Sequence, residues 1–218
     1  MTLGLEEARR TIRADWAESP YYALAEACTD DYWTAGGLFA TLFAQLDLTR
    51  VIELACGHGR HAARLVARQG ADRLGRITLV DVNASNIAAC RRRFAGEARV
   101  EFLVCSGSDL APLADGGFTA LYCYDAMVHF ELHDIIAYLA ECHRVLVPGG
   151  RALLHVSNYD ARPGGNCHDN PHWRNFGSER LFRHLAIRAG FDVLSAQTLD
   201  WGGVAALDAL VLIERRAG

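Results

Sequence analysis

The chain has 218 residues, of which 51% are hydrophobic and 22% charged, and a net charge of -4. This length predicts one domain, with or without a small appendage, and the charge argues against a general nucleic-acid-binding protein. Seven cysteines without C-x-x-C spacing predict reduced, buried thiols rather than disulfides or a zinc site. The acidic N-terminus is unlike a signal peptide and no stretch is apolar enough to span a membrane, so we expect a cytoplasmic protein without membrane contact.

The first 49 residues show the apolar spacing of short helices, interrupted at Pro20 and at a pair of glycines. The segment is also rich in aromatic residues. Their rings can pack the helices onto a sheet or cover a bound ligand, and we expect both. We therefore assign residues 1–49 to an N-terminal helical lid, with Tyr22 and Trp33 as candidate substrate contacts.

A strand, a glycine-rich turn and a helix follow one another over residues 51–68. This order is typical of the first unit of a nucleotide-binding α/β sheet. Of the two turn glycines, Gly57 and Gly59, one permits the sharp turn and the other lets a ligand approach the backbone. The carboxylate of Glu53, inside the end of the strand, is suited to a cationic amine. The spacing up to Ala62 also fits the dinucleotide fingerprint, so the turn alone leaves the ligand open.

The second strand, residues 77–81, ends in the carboxylate of Asp81. An acid about twenty residues past the glycines accepts hydrogen bonds from both ribose hydroxyls in doubly wound folds. The alternative is that Asp81 caps the following helix. We favour the ribose role because the spacing matches, and we expect Val82 to pack on the adenine face.

Three further strands have the apolar character of a buried parallel sheet, at residues 100–105, 118–124 and 151–156. The carboxyl ends of such strands face the ligand crevice. Tyr124, Asp125 and His129, which end or follow the fourth strand, are therefore expected near the reacting group.

The polar segment of residues 157–176 leaves the fifth strand, and loops of this length are usually either functional or disordered. We expect it to fold over the ligand end of the sheet, with Asn158 and Trp173 as substrate contacts and His172 as a candidate base.

The last two strands, residues 191–197 and 209–214, are separated by about a dozen residues with two glycines and no clear helix. They must pair as a hairpin, so the last strand runs antiparallel. The sequence therefore predicts an α/β fold with a doubly wound, mostly parallel seven-stranded sheet and an antiparallel last strand.

With these elements in register, the stretch from Glu53 to Gly59 resembles motif I of class I S-adenosylmethionine-dependent methyltransferases of the small-molecule type. The stretch Arg144-Val145-Leu146-Val147-Pro148-Gly149-Gly150 resembles the segment that leads into strand 5 in that family. The resemblance covers about residues 50–215, so we assign residues 50–218 to the cofactor-binding domain.

The resemblance implies S-adenosyl-L-methionine as the cofactor, with its methionine end on motif I. It assigns the adenosine end to the second strand and to Asp109 and Leu110, whose carboxylate and N–H match the adenine-binding positions. The cofactor-binding residues so predicted are Glu53, Ala55, Gly57, His58, Gly59, Asp81, Val82, Ser108, Asp109, Leu110 and Tyr124.

Methyl transfer from a sulfonium is an in-line displacement, so the protein mainly aligns the nucleophile and removes its proton where necessary. The candidate catalytic residues are His129, His172 and Asp125, and His129 is also a candidate substrate contact. At the position of His129, a purely structural packing role is the alternative. His168, with its neighbouring cysteine and aspartate, lacks a second pair at ligand spacing, so we expect no metal.

The acceptor is expected to be a small molecule, because the segment after strand 4 lacks the Asn/Asp-Pro-Pro-Tyr stretch of many nucleic-acid and protein methyltransferases. Histidines near the site favour a hydroxyl or carboxyl oxygen. The alternatives are N-methylation of a small amine, an NAD-dependent oxidoreductase and a noncatalytic cofactor-binding subunit. We expect a monomer or a homodimer.

Overall fold

A computed structural model describes residues 3–68 and 74–217 and shows one seven-stranded sheet with helices on both faces. The sheet order is β3-β2-β1-β4-β5-β7-β6. Its strands are β1 (Arg50–Leu54), β2 (Arg76–Asp81), β3 (Val100–Val104), β4 (Phe118–Cys123), β5 (Leu146–Ser157), β6 (Phe191–Trp201) and β7 (Val204–Arg215). The helices are α1 (Leu5–Asp15), α2 (Tyr21–Ala27), α3 (Thr29–Tyr32), α4 (Leu38–Phe43), α5 (Arg60–Ala67), α6 (Ala84–Arg93), α7 (Leu132–Val145) and α8 (Glu179–Arg188).

The sheet is parallel from β3 to β5, and β7 runs antiparallel to both of its neighbours, β5 and β6. The predicted fold class is therefore confirmed, including the terminal hairpin. β6 and β7 are longer than predicted, because their polar and exposed residues continue the pairing as far as Trp201 and Val204. β5 begins earlier than predicted, at Leu146.

Two hydrophobic clusters, one on each face of the sheet, hold the helices in place. One contains Tyr138 of α7 and Phe182 of α8. The other contains Leu65 of α5 and Ile87 of α6, and it also contains Phe43 of α4. Apolar residues at helical spacing thus direct one stripe of each helix into the core.

The predicted N-terminal lid consists of four helices with different burial. α4 belongs to the core, since Phe39, Leu42 and Phe43 are buried in it. α1 has no buried residue and lies across the carboxyl ends of the strands. It is fastened by Arg13, which donates to the Val82 carbonyl oxygen, and by Arg9, which pairs with Asp134 of α7.

Candidate functional site

A cavity of about 580 Å³ lies between α1 and α2 on one side and the carboxyl ends of β1, β2 and β4 on the other. This is within the range of small-molecule sites. Predicted site residues on its wall are Tyr22, Glu53, Ala55, Gly57, His58, Asp81, Val82, Ser108, Tyr124, Asp125 and His129. Residues that the sequence did not single out, and that also line it, include Trp16, Tyr21, Arg60, Asn83, Ser106 and Phe130.

The glycine-rich turn has left-handed backbone at Ala55, Gly57 and Gly59, with φ of 55°, 52° and 74°. At Gly57 a Cβ would come within 2.6 Å of the Tyr22 ring, and Tyr22 also stacks on His58 at 4.2 Å. At Gly59 it would come within 2.7 Å of Phe94, the C-cap residue of α6. Gly57 therefore admits a lid ring on the cavity side, and Gly59 permits close packing of the turn against α6, away from the cavity.

The Glu53 carboxylate is buried at the base of the cavity, where it accepts a 2.8 Å hydrogen bond from the Tyr122 hydroxyl. Burial raises the pKa of Glu53 to about 7, and the Tyr122 bond opposes the rise. A desolvated carboxylate that lines a ligand cavity can be stabilised by a cationic group. Its environment therefore suits the ammonium that the sequence predicted for it.

The Asp81 carboxylate fastens the glycine-rich turn to β2. It accepts from the backbone N–H groups of Gly57 at 2.9 Å and Asn83 at 2.8 Å, and from the side chain of Asn86 at 3.1 Å. Burial raises its pKa, and these three donors oppose the rise. The helix cap considered as an alternative lies at Asn83, not at Asp81. Asp81 lines the cavity and so remains placed for ribose hydroxyls.

The segment after β3 differs from the prediction. Ser106, Gly107 and Ser108 line the cavity, whereas Asp109 and Leu110 are not on its wall. Asp109 accepts from the Ser106 hydroxyl and, at 3.1 Å, from the Ala111 N–H. Leu110 is fully buried and its N–H donates to Glu141 at 2.7 Å. That N–H is therefore already satisfied within the protein, which does not favour its predicted bond to an adenine nitrogen.

Asp125 lies on the cavity wall just after the end of β4 and has a left-handed backbone with φ of 57°. Its Oδ2 accepts from the Tyr21 hydroxyl at 2.6 Å and from Arg60 at 2.9 Å. Arg60 also donates to the Ala25 carbonyl oxygen at 2.7 Å. Asp125 is thus engaged by a lid side chain and a cation, so it is less suited to act as a base than to hold the lid closed.

His129 lies in the short 3-10 helix Met127–His129, and its ring packs 5.0 Å from that of Trp16. Its Nδ1 lies 2.8 Å from the carbonyl oxygen of Trp173. Because a carbonyl only accepts, Nδ1 carries the proton and Nε2 keeps the lone pair. Burial, assisted by the charge of Arg174, lowers the pKa of His129 to about 4.

Besides Gly59, Asp109 and Leu110, four further predicted site residues are not on the cavity wall. Trp33 is buried against Phe43 and donates to Nδ1 of His61 at 3.1 Å. Asn158 accepts from the N–H of Glu179 at 2.8 Å and so caps α8. The other two, His172 and Trp173, are exposed.

His172 and Trp173 are in the polar loop, which contacts the N-terminal helical segment through the rings of Trp173 and Trp16. His172 lies against the β6–β7 turn, with Nε2 3.2 Å from the Gly202 carbonyl oxygen. The Trp173 ring contacts that of Trp16 at 6.1 Å, while its carbonyl oxygen meets His129. The structure therefore brings His129 to the cavity and places His172 elsewhere.

Residues 51–150 match the family described as a methyltransferase domain. The chain belongs to the class I S-adenosylmethionine-dependent methyltransferases. The predicted cofactor, S-adenosyl-L-methionine, is thereby confirmed, and the match does not support the dehydrogenase alternative. No helix in the described part of the methyltransferase could cross a membrane, and no cluster of three potential metal ligands occurs there.

The methyltransferase is similar to a fatty-acid O-methyltransferase of Mycolicibacterium smegmatis, with 33% identity over 72% of this chain and 53% of the relative. It is also similar to a ubiquinone biosynthesis O-methyltransferase of Xanthomonas oryzae pv. oryzae, with 29% identity over 69% of this chain and 57% of the relative. The chain thus spans about half the length of the curated relatives it matches. A geranyl diphosphate methyltransferase structure superposes with a TM-score of 0.70 at 16% identity, covering 95% of this chain and 98% of that one, which shows the fold alone.

Proposed function

We propose that this methyltransferase transfers a methyl group from S-adenosyl-L-methionine to an acidic oxygen of a small molecule, a carboxyl or phenolic hydroxyl, with His129 as the proton acceptor. The observation that carries the proposal is the bond between His129 Nδ1 and the Trp173 carbonyl oxygen. It leaves Nε2 as the basic nitrogen of a side chain that lines the cavity.

The cavity residues fit the two ends of the cofactor. Glu53 offers a buried carboxylate for the ammonium, and Asp81 offers a carboxylate for ribose hydroxyls. Val82 and Ser108 line the part of the cavity next to them, which suits the adenine. When bound, the cofactor supplies a methyl group already activated by the sulfonium charge. The residues therefore mainly align the acceptor with it, exclude water and take up the proton of the acceptor.

The chemistry of His129 indicates the kind of oxygen. Because its pKa is about 4, His129 is uncharged near neutral pH. Its Nε2 can therefore accept a proton, but it is a weak base. A weak base is matched to an acceptor whose own proton is acidic. This supports a phenolic oxygen, or a carboxyl that enters the apolar cavity in its protonated form, over an aliphatic alcohol, and the name of the fatty-acid O-methyltransferase relative is consistent with a carboxyl.

Two carboxylates of the cavity are already paired with arginines and are therefore not free to bind a cationic amine as the acceptor. Asp125 is paired with Arg60, and Asp134 with Arg9. The walls near His129 are instead aromatic, with Trp16 and Phe130. Such walls take up the flat or apolar body of an organic acid or phenol.

The lid is proposed to be smaller than residues 1–49. α1 and α2 carry the residues that line the cavity, whereas α4 is part of the core. Opening of α1 and α2 would admit cofactor and acceptor without disturbing the sheet.

The test is a methyl-transfer assay with labelled S-adenosyl-L-methionine and matched acceptors that share one apolar body and end in a carboxyl, a phenol, an alcohol or an amine. We expect methylated carboxyl or phenol, with transfer reduced in His129→Gln. Methylation of the amine alone would replace this proposal with N-methylation. Cofactor binding without transfer to any acceptor would favour the noncatalytic subunit.

A further inference from the structure

We propose that the buried ion pair of Arg174 and Asp208 is a positioning device that orients two groups on the cavity wall, the proposed base His129 and the lid contact Asp125. It does so by two branches, one through the Trp173 carbonyl and one through His155. The functional part of this inference rests on the proposed role of His129, but the positioning itself can be measured without activity.

The ion pair lies behind the cavity and connects β7 to the polar loop. Arg174 donates from Nε to Oδ1 of Asp208 at 2.8 Å and from Nη2 to Oδ2 at 2.6 Å. The side chains are 2% and 0% exposed. Burial raises the pKa of Asp208, but its hydrogen bonds to Arg174 and then His155 outweigh burial and lower it. Two charges so fully withdrawn from water require a fixed geometry, and a bidentate arginine fork supplies one.

The first branch runs from Arg174 to His129. Arg174 donates from Nη1 to the carbonyl oxygen of His172 at 2.9 Å and stacks over the Trp201 ring at 4.9 Å. His172 and Trp173 both have left-handed backbone, with φ of 48° and 57°. Two consecutive non-glycine residues in this conformation persist only where their surroundings hold them. Anchoring Arg174 therefore fixes the direction of the Trp173 carbonyl, which follows that of His172 in the chain. The Trp173 carbonyl oxygen accepts the hydrogen bond from Nδ1–H of His129.

The second branch runs from Asp208 to Asp125. Nε2 of His155 lies 3.0 Å from Oδ2 of Asp208, and its Nδ1 lies 3.1 Å from the backbone nitrogen of Asp125. A backbone N–H can only donate, so Nδ1 of His155 is unprotonated and Nε2 carries the proton toward Asp208. The fully buried His155 is therefore neutral and holds the left-handed backbone of Asp125, whose carboxylate retains Tyr21 and Arg60.

These contacts assign opposite tautomers to two histidines: protonated Nδ1 in His129 and protonated Nε2 in His155. Two-dimensional ¹H–¹⁵N NMR of histidine side chains distinguishes them directly, and His129→Gln assigns the His129 signals. The wild-type protein alone can overturn the proposal, because Nε2–H in His129 would contradict the first branch and Nδ1–H in His155 would contradict the second.

The variant test is Arg174→Lys, which keeps the positive charge and removes the fork. We expect the His129 signals to shift toward a mixture of tautomers, and kcat to fall by about tenfold or more while the KM for S-adenosyl-L-methionine changes little. Asp208→Asn, which removes the charge, should affect the signals of both histidines. An unchanged His129 tautomer in either folded variant would refute the proposal that the Arg174–Asp208 ion pair positions His129.

The matched control is Arg151→Met. Arg151 pairs with Glu214 at 2.8 Å between β5 and β7, but its side chain is 34% exposed and neither residue lies on the cavity wall. It should leave kcat and both tautomers unchanged. A matching loss of kcat in Arg151→Met would mean that the effect of Arg174→Lys is general destabilisation. If no acceptor is methylated by the wild type, the proposed function fails and the NMR result still decides the positioning.

Discussion

Glu53 and Tyr122 form a hydrogen bond of 2.8 Å between adjacent parallel strands, with both side chains buried at the base of the cavity. Because the tyrosine hydroxyl donates to the carboxylate, it stabilises the ionised acid, but it does not offset burial. The pKa of Glu53 therefore stands at about 7 instead of its ordinary 4.5. An ionised carboxylate in this environment lowers the stability of the ligand-free protein, and a bound cation offsets that loss.

Because ionised Glu53 destabilises the folded protein, Glu53→Gln should have opposite effects on the free energy of unfolding and on cofactor binding. Its raised pKa means that its contribution to stability is fully present below pH 4.5 and is lost as the pH rises through about 7. Glu53→Gln should therefore increase the free energy of unfolding at pH 8 by up to about 3 kcal/mol, with little change at pH 4.5. Urea unfolding at the two pH values measures this.

Cofactor binding should follow the ionisation of Glu53. In calorimetric titrations, the Kd of the wild type for S-adenosylhomocysteine should rise as the pH falls below about 7. Glu53→Gln should bind at least about tenfold more weakly at pH 8 and lose this pH dependence. A Kd that is independent of pH in the wild type would show that the ammonium binds elsewhere.

Two aspartates that the sequence assigned to the cofactor should behave differently. Asp81→Asn replaces a carboxylate that holds the turn at Gly57 and lines the cavity. We expect it to weaken S-adenosylhomocysteine binding by about tenfold or more, because three donors and the ribose compete for fewer acceptors. Asp109→Asn is the matched control and should bind within about twofold of the wild type. An equal loss in both would return Asp109 to the adenine site.

The difference between these aspartates shows how far the sequence could lead. The turn at Gly57 and the acid at Asp81 are defined by local spacing along the chain, so their approach to one cavity follows from the parallel sheet. The position of Leu110 could not be predicted in this way. Its N–H is taken by Glu141, 31 residues later in the chain, and only the docking of α7 brings the two together.

The aromatic residues of the N-terminal segment predict a lid, but the sequence does not separate those that line the cavity from those in the core. Trp33 and Tyr21 are both aromatic residues of this segment, and nothing in the sequence around them tells which one lines the cavity. Trp33 is captured by the ring cluster around Phe43, whereas Tyr21 reaches Asp125, 104 residues later in the chain. Arg60 was a weak signal that could have been used, because an arginine at the helix start after the glycine-rich turn must lie near the ligand crevice.

The hydrogen bond from Tyr21 to Asp125 predicts that the lid opens more slowly in the wild type than in a variant without this bond. Tyr21→Phe removes a hydrogen bond to a charged group, so we expect S-adenosylhomocysteine to dissociate about ten times faster. Stopped-flow fluorescence can follow this, since Trp16 lies 5.5 Å from the Tyr21 ring. Glu26→Gln, which breaks the more exposed lid pair with Arg93, should change the rate by less than about threefold. Equal effects would mean that Asp125 has no special part in closure.

Of the two histidines considered as bases, only His129 should matter for the methyl-transfer step. His129→Gln should lower kcat by about a hundredfold, the typical contribution of a positioned proton acceptor. His172→Gln, which alters an exposed ring against Gly202, should keep kcat within about twofold. Because the pKa of His129 is about 4, the residue stays neutral at higher pH, and kcat should show no titration of His129 between pH 5.5 and 8. A kcat that falls in His172→Gln and stays unchanged in His129→Gln would instead identify His172 as the base.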